Sequence, residues 1–247
     1  LFDLMKSGGK ADVQVTETEN GLDVWLVAKL SHNAQVDMRL ADFAQDADLA
    51  RLSTGLRPEV VMVRRAPTVT LSGVAVTPPP NSFLQASLAG EQALVKLVQQ
   101  SVGDARSVAD LYAGVGTFSF AMNKNVEVLA VEGVEEQTDA LIAGRNAARR
   151  NGIEIQVRDL ERRPLSVEEL AAYAAVIFDP PRAGAARQVE LLAASTVATV
   201  VAVSCNPATF ARDALTLEMG GYRLMSVTPV DQFPWSRHLE LVACFQR

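Results

Sequence analysis

Cys205 is the residue around which chemistry could be organised. It stands in Val203-Ser204-Cys205-Asn206-Pro207, at the end of the apolar run VATVVAVS. Such a run reads as a strand buried on both faces, and a thiol just past its end lies where open α/β sheets place their active sites. As a thiolate it would be a nucleophile. On these residues alone, a nucleophile and an inert buried thiol weigh equally. Cys244, inside LELVACF, reads as core.

Three further groups could share the work. Phe178-Asp179-Pro180-Pro181-Arg182-Ala183-Gly184 follows another apolar strand, and its two prolines fix an extended turn beside a carboxylate. An enzyme methylating an amino nitrogen would want an aromatic residue after the prolines to hold its planar target. Arg182 there argues against a nitrogen target. Glu240 enters the last strand, a costly place for a carboxylate unless it is exposed or employed, and both readings stay open. His238, two residues earlier, reads as structural, and His32 has no supporting context.

A ligand site is written in the run Asp110-Leu111-Tyr112-Ala113-Gly114-Val115-Gly116-Thr117, which follows a strand and opens a helix. Gly114 and Gly116 would let backbone approach a nucleotide-like ligand, although a turn with no ligand has the same spacing. Glu132 ends the next strand, EVLAVEG, where an acidic side chain can accept from ribose hydroxyls. Asp159, after the third strand, could meet an adenine amino group or be a solvated loop residue.

These residues need a frame. Strands are expected at 107–112, 126–132, 153–158, 174–179, 198–204, 222–229 and 238–245. Helices are expected near 87–101, 116–123, 134–151, 166–172, 185–195 and 207–219. The alternation implies a mostly parallel sheet covered on both faces. Residues 1–77 read instead as a small, largely antiparallel β-rich module, with a hairpin at 12–28 turning at Asn20-Gly21 and further strands at 59–64 and 68–76. Pro78-Pro79-Pro80 ends it, so a second domain is expected over 78–247.

The 247 residues, 49% of them hydrophobic and 21% charged, describe a folded domain with a smaller companion. No run is long enough to span a bilayer and no signal peptide stands at the start, which points to the cytoplasm. The chain opens on Leu1 and not on Met, which points to an N-terminal portion not included. The net charge of −6 speaks mildly against a nucleic-acid partner. Arginines do pair locally, at Arg64-Arg65, Arg149-Arg150 and Arg162-Arg163, as a basic patch or as ordinary solvated side chains.

Taken together, FLQ at 83–85, DLYAGVGTFSF at 110–120, DPPRAGA at 179–185, SCNPATFARDAL at 204–215 and DQFPWSRHLELV at 231–242 resemble the RNA uracil-5 methyltransferase family. The resemblance is strong over about 81–247 and weak over the β-rich module, which it likens to a variable inserted domain. It implies a Rossmann-like class I methyltransferase fold, with a seven-stranded sheet whose last strand is antiparallel. It implies S-adenosyl-L-methionine as cofactor, Cys205 as nucleophile and Glu240 as base. Gln85, Tyr112, Thr117, Glu132, Asp159 and Asp179 would line the pocket for cofactor and target base. Ala113 and Thr117 stand where many relatives have cysteine and asparagine. The cysteine cluster and N-terminal RNA-binding barrel of some members have no counterpart in these residues. Two cysteines cannot ligate an iron–sulfur centre, so such a cluster either belongs to an N-terminal portion not included or does not exist, and no metal is expected in this chain.

The chemistry so implied is coherent. Carbon 5 of uracil is a poor nucleophile until a thiolate adds to carbon 6 and creates an enolate. Gln85 and backbone amides would stabilise that enolate, Asp179 would orient the ring, and Glu240 would remove the carbon 5 proton. The target would be a single-stranded or flipped-out uridine, in rRNA in preference to tRNA, methylated by a monomer away from any membrane. Three other readings remain: a dinucleotide-dependent oxidoreductase, which does not require DPPR or SCNP; a noncatalytic RNA-binding module; and a cysteine hydrolase using Cys205 and His238.

Overall fold

The computed structural model describes residues 10–247 apart from 29, 31, 32, 234 and 237, so His32 lies outside the described residues. Two compact units divide the chain, 10–70 with 75–82 and 71–74 with 83–247.

In the first unit, β1 (Asp12–Thr18), β2 (Gly21–Val27), β3 (Arg51–Thr54) and β4 (Glu59–Val63) form one sheet in that order, with α1 (Ala34–Asp46) between β2 and β3 in sequence. The expected hairpin is present, but Thr18 pairs with Gly21, so the turn residues are Glu19-Asn20, one position earlier than expected. The shift is fixed from outside: Asn20 Nδ2 donates to Ala66 O at 2.8 Å and the Glu19 amide to Thr68 O at 2.9 Å. α1 and β3 were not anticipated, and β2 with β3 is a parallel pair. The helix has ordinary causes: Asn33 Oδ1 accepts from the Val36 amide at 3.0 Å, and Leu40 and Ala44 bury one face against Val24, Leu26 and Leu52. The stretch 68–76 is two short strands, β5 (Val69–Leu71) and β6 (Val74–Val76), turning through Ser72-Gly73.

The second unit carries α2 (Leu88–Val102), β7 (Ser107–Leu111), α3 (Thr117–Ala121), β8 (Glu127–Glu132), α4 (Glu135–Ala147), β9 (Ile153–Val157), α5 (Val167–Leu170), β10 (Ala175–Phe178), α6 (Ala186–Ala194), β11 (Thr199–Ser204), α7 (Pro207–Met219), β12 (Arg223–Val230) and β13 (Glu240–Gln246). The sheet order is β12-β13-β11-β10-β7-β8-β9, parallel from β11 to β9, with β13 antiparallel to both its neighbours. This is the expected seven-stranded arrangement. β10 and most of β11 are buried, as runs without polar alternation require. The principal core runs from Val131 and Leu170 through Phe178 and Val189 to Leu217 and Phe245.

The first unit holds a buried ion pair: Arg51 Nε and Nη2 donate to Asp23 at 2.8 and 2.5 Å, and Nη2 also reaches Pro78 O at 2.9 Å. Removing one partner strands a charge in the interior. Asp23→Ala is therefore expected to lower the unfolding free energy of this unit by about 3–5 kcal/mol in urea titrations, whereas Arg64→Ala, whose partner Asp48 is exposed, should change it little.

Candidate active site

The parallel strands β7 to β11 end on one edge of the sheet, and each delivers a residue singled out in the sequence. Tyr112 and Gly114 follow β7, Glu132 closes β8, Asp159 follows β9, Asp179 follows β10 and Cys205 follows β11. β13 runs the opposite way, so its first residue, Glu240, arrives at the same edge, with Leu241 paired to Ser204.

The glycine loop after β7 is built around Glu132. One carboxylate oxygen accepts from the Gly114 amide at 2.9 Å, the other from Gly133 and Val134 at 2.7 and 2.9 Å. Tyr112 sits at φ 62°, an uncommon conformation for a side-chain-bearing residue, and its hydroxyl donates to Glu161 at 3.1 Å. Burial and the Glu161 charge hold that phenol above its ordinary range. Gly116, at φ 103°, leads into α3, and a Cβ there would strike the Phe120 ring and Leu141. Thr117 opens that helix. Asp159 Oδ1 caps its own turn by accepting from Glu161 and Arg162 amides at 3.0 and 3.2 Å.

Beneath the loop lies a residue the sequence reading left out. Asp110 is fully buried, and Oδ2 accepts from Ser119 Oγ at 2.5 Å while Oδ1 has no protein partner. Burial, with Glu132 adding repulsion, pushes its carboxyl to about 7. Its position at the head of the loop motif was the available signal.

Cys205, Asp179 and Glu240 form a second group. Asp179 is pushed to about 8 by burial, then by Glu240 and Asp110. Glu240 is 4% exposed, which decides against a solvated edge residue, and burial raises it while Arg182 opposes. The Cys205 thiol is raised by burial and by the Glu240 and Asp179 charges, and lowered by a hydrogen bond and the charge of Arg182. Arg182, read earlier only as evidence against a nitrogen target, is thus the cation of the site. His238 is exposed and its Nδ1 lies 2.7 Å from Arg182 Nη2.

Two motifs hold this group by gripping each other. The Arg182 carbonyl accepts from Asn206 Nδ2 at 3.0 Å and from Thr209 Oγ1 at 3.3 Å. Asn206 also caps α7, accepting from the Ala208 amide, with Pro207 at the first helical position. Asp213 accepts from the Ala185 amide at 3.0 Å. Gly184 sits at φ 78° beneath Arg212, Asp213 and Thr209, where a Cβ has no room. Gln85 Oε1 accepts from Gln232 Nε2 at 2.9 Å. Cys244 is buried in β13, as expected of core. Trp235 is fully exposed, and Phe233 packs edge-on against His238.

Four of the six paired arginines have partners for their side chains. Arg64 and Arg65 both bind Asp48, Arg150 is buried with its guanidinium on the Phe120 and Met122 carbonyls, and Arg162 pairs with Asp159.

Comparison with known proteins places this geometry. A family model described as tRNA (Uracil-5-)-methyltransferase matches residues 73–247. An uncharacterized RNA methyltransferase of Caulobacter vibrioides is 44% identical over 245 residues, covering 98% of this chain and 59% of that protein. The 23S rRNA (uracil(1939)-C(5))-methyltransferase RlmD of Aliivibrio fischeri is 30% identical over 246 residues, 95% of this chain and 55% of that protein. The chain thus spans somewhat over half the length of these relatives. Among solved structures, the Pyrococcus abyssi tRNA (uracil-54, C5)-methyltransferase in complex with S-adenosyl-L-homocysteine has 27% identity and a TM-score of 0.75, covering 94% of this chain and 58% of that one. Methanocaldococcus jannaschii Trm5, at 14% identity and TM-score 0.63 over 97% of this chain and 73% of that one, shares the fold.

Two measurements probe the electrostatics. Arg182→Gln removes the one influence lowering the Cys205 thiol, so iodoacetamide labelling of Cys205, separated from Cys244 by peptide mass spectrometry, should slow near pH 8 and shift its midpoint upward. Folded, Asp110 keeps a proton up to about 7 that the unfolded chain loses in the ordinary aspartate range near 3.8. Its contribution is therefore present at low pH and lost as pH rises to about 7. The unfolding midpoint of the ligand-free protein should fall across this window, and Asp110→Asn should flatten the fall.

Proposed function

This chain belongs to the tRNA (uracil-5-)-methyltransferase family, and we propose that it methylates carbon 5 of a uridine in RNA through a covalent bond between Cys205 and carbon 6. The observation that carries the reading is the meeting of Cys205, Asp179 and Glu240 at one sheet edge, with Arg182 acting on Cys205 and Glu240.

S-adenosyl-L-methionine, when bound, supplies an electrophilic methyl group. The residues present suit it. The unpartnered buried oxygen of Asp110 invites a cationic or hydrogen-bonding ligand atom. Glu132 is already aimed into the glycine loop and retains lone pairs for ribose hydroxyls. Tyr112, Gly114, Gly116, Thr117 and Asp159 complete the lining.

Cys205 must first lose its proton, and Arg182 favours the thiolate. The thiolate adds to carbon 6, the pyrimidine ring takes up the electron pair, and carbon 5 becomes nucleophilic. Asp179, protonated at neutral pH in the free protein, can accept from the ring N3–H and donate to a neighbouring carbonyl. Gln85 would donate to a second carbonyl. Once carbon 5 carries the new methyl, Glu240 takes its proton; a buried carboxylate with a raised pKa is suited to that task. The carbon–sulfur bond then breaks and the thiolate leaves.

The RNA would be 23S rRNA in preference to tRNA, a reading supported by the named curated relative. The exposed Trp235 is available to stack on an unpaired base.

RNA containing 5-fluorouridine should trap a denaturation-resistant protein–RNA adduct in the presence of the cofactor, because fluorine cannot leave as a proton. Cys205→Ala should give none. With natural RNA, Glu240→Gln should accumulate the adduct and slow turnover at least about 100-fold. Labelled methyl groups should enter 23S rRNA and not tRNA; the reverse pattern would reassign the substrate, and wild-type turnover by either variant would sink that residue's role.

A further inference from the structure

Gln232 lies between β12 and β13, two residues beyond Val230, which pairs with Glu240. It is therefore at the sheet edge that carries Cys205. Its Nε2 donates to Gln85 Oε1 at 2.9 Å, while its own Oε1 is buried without a hydrogen-bond donor. That oxygen rests on Gly90, in the first turn of α2, where a Cβ would overlap Oε1, Cδ and Cγ of Gln232. Gly90 has helical geometry, so conformational freedom does not explain a glycine there. In a helix glycine is about 1 kcal/mol less favourable than alanine. Space for Gln232 does explain it.

The direction of the Gln232 amide follows from its surroundings. Amide N–H groups in the first turn of α2 give that end a partial positive charge, which favours the carbonyl oxygen over the NH2 group on that side. The NH2 group then faces Gln85 and occupies its oxygen as acceptor. The end of the Gln85 amide turned away from Gln232 is then its own NH2, a donor, while its oxygen is turned toward Gln232. A donor complements a ring carbonyl of uracil and opposes the exocyclic amino group of cytosine, which is itself a donor.

We infer that Gln232, given room by Gly90, is a positioning residue that locks the Gln85 amide as a donor and so makes the site select uracil over cytosine. The inference rests on the proposed uridine methylation.

The test compares RNAs identical except for uridine or cytidine at the target position, with kcat/KM measured for each. Gln232→Glu keeps the shape but can only accept, and its carboxylate suits the start of α2. Gln85 must then donate to Glu and turn its carbonyl to the base. Uridine kcat/KM should fall about tenfold or more, mainly through kcat. The uridine-to-cytidine ratio should fall at least as far, with cofactor affinity and unfolding midpoint unchanged. Gly90→Ala, a helix-favouring change, should lower the same ratio by displacing Gln232. An unchanged ratio in a folded Gln232→Glu or Gly90→Ala protein overturns the inference and leaves the uridine reading intact. A wild-type protein that forms no 5-fluorouridine adduct overturns both.

Discussion

Asp110 and Glu240 are buried and Asp179 is half-buried at one end of one sheet, and the character of the site follows from that withdrawal from water. Desolvation disfavours the charged form of each, and each ionisation raises its neighbours further: Glu132 acts on Asp110, Asp110 and Glu240 on Asp179, and Glu240 and Asp179 on Cys205. One guanidinium, Arg182, works in the other direction, on Cys205 and on Glu240. At neutral pH Asp179, and in part Asp110, therefore hold protons that an ordinary aspartate would have lost.

The same constraint explains why so many motif residues take no part in the chemistry. A guanidinium bonded to Cys205 and acting by its charge on Glu240 must be held to within a fraction of an ångström, and the backbone of Arg182 is held by Asn206 and Thr209. Asp213 and Gly184 close the packing below, and Arg212 Nη2 donates to Ala183 O at 3.1 Å. The long motif stretches around Asp179 and Cys205 are thus two turns bonded to each other. On the proposed reading, most of their letters are architecture for two or three reactive ones.

The alternation of apolar runs made the seven-stranded sheet legible, because strands buried on both faces leave an unbroken signature. Helices were legible within a few residues, though α4 ends at Ala147 where the pattern continued to 151. The first unit was less so. α1 could have been found from Asn33 and the spacing of Val36, Leu40, Phe43 and Ala44. β3 could not: Arg51-Leu52-Ser53-Thr54 is too short and polar, and it is buried because Asp23 neutralises its arginine. At the site, residue types and strand-end positions pointed to Cys205, Asp179 and Glu132 singly. Their grouping with Arg182 depends on which strands are neighbours, and periodicity carries no information about that. Gln232 was invisible for a related reason, since its partner Gln85 is 147 residues away.

The position of β13 is what makes the arrangement possible. Parallel strands bring only their C-terminal ends to the working edge, so every residue they supply is followed by a turn into a helix. An antiparallel strand inserted between β11 and β12 brings its beginning instead. Glu240 is consequently on a strand, backed by the ladder to Val230, and buried beside the turn that carries Cys205. The connection leading into β13 passes the same edge and sets down Gln232 and His238 on the way, against Gln85 and Arg182. A reaction that adds a thiolate to one carbon and later takes a proton from the next needs two groups fixed relative to one another through several steps. Neighbouring strand ends of opposite polarity provide that rigidity, where two loops could not.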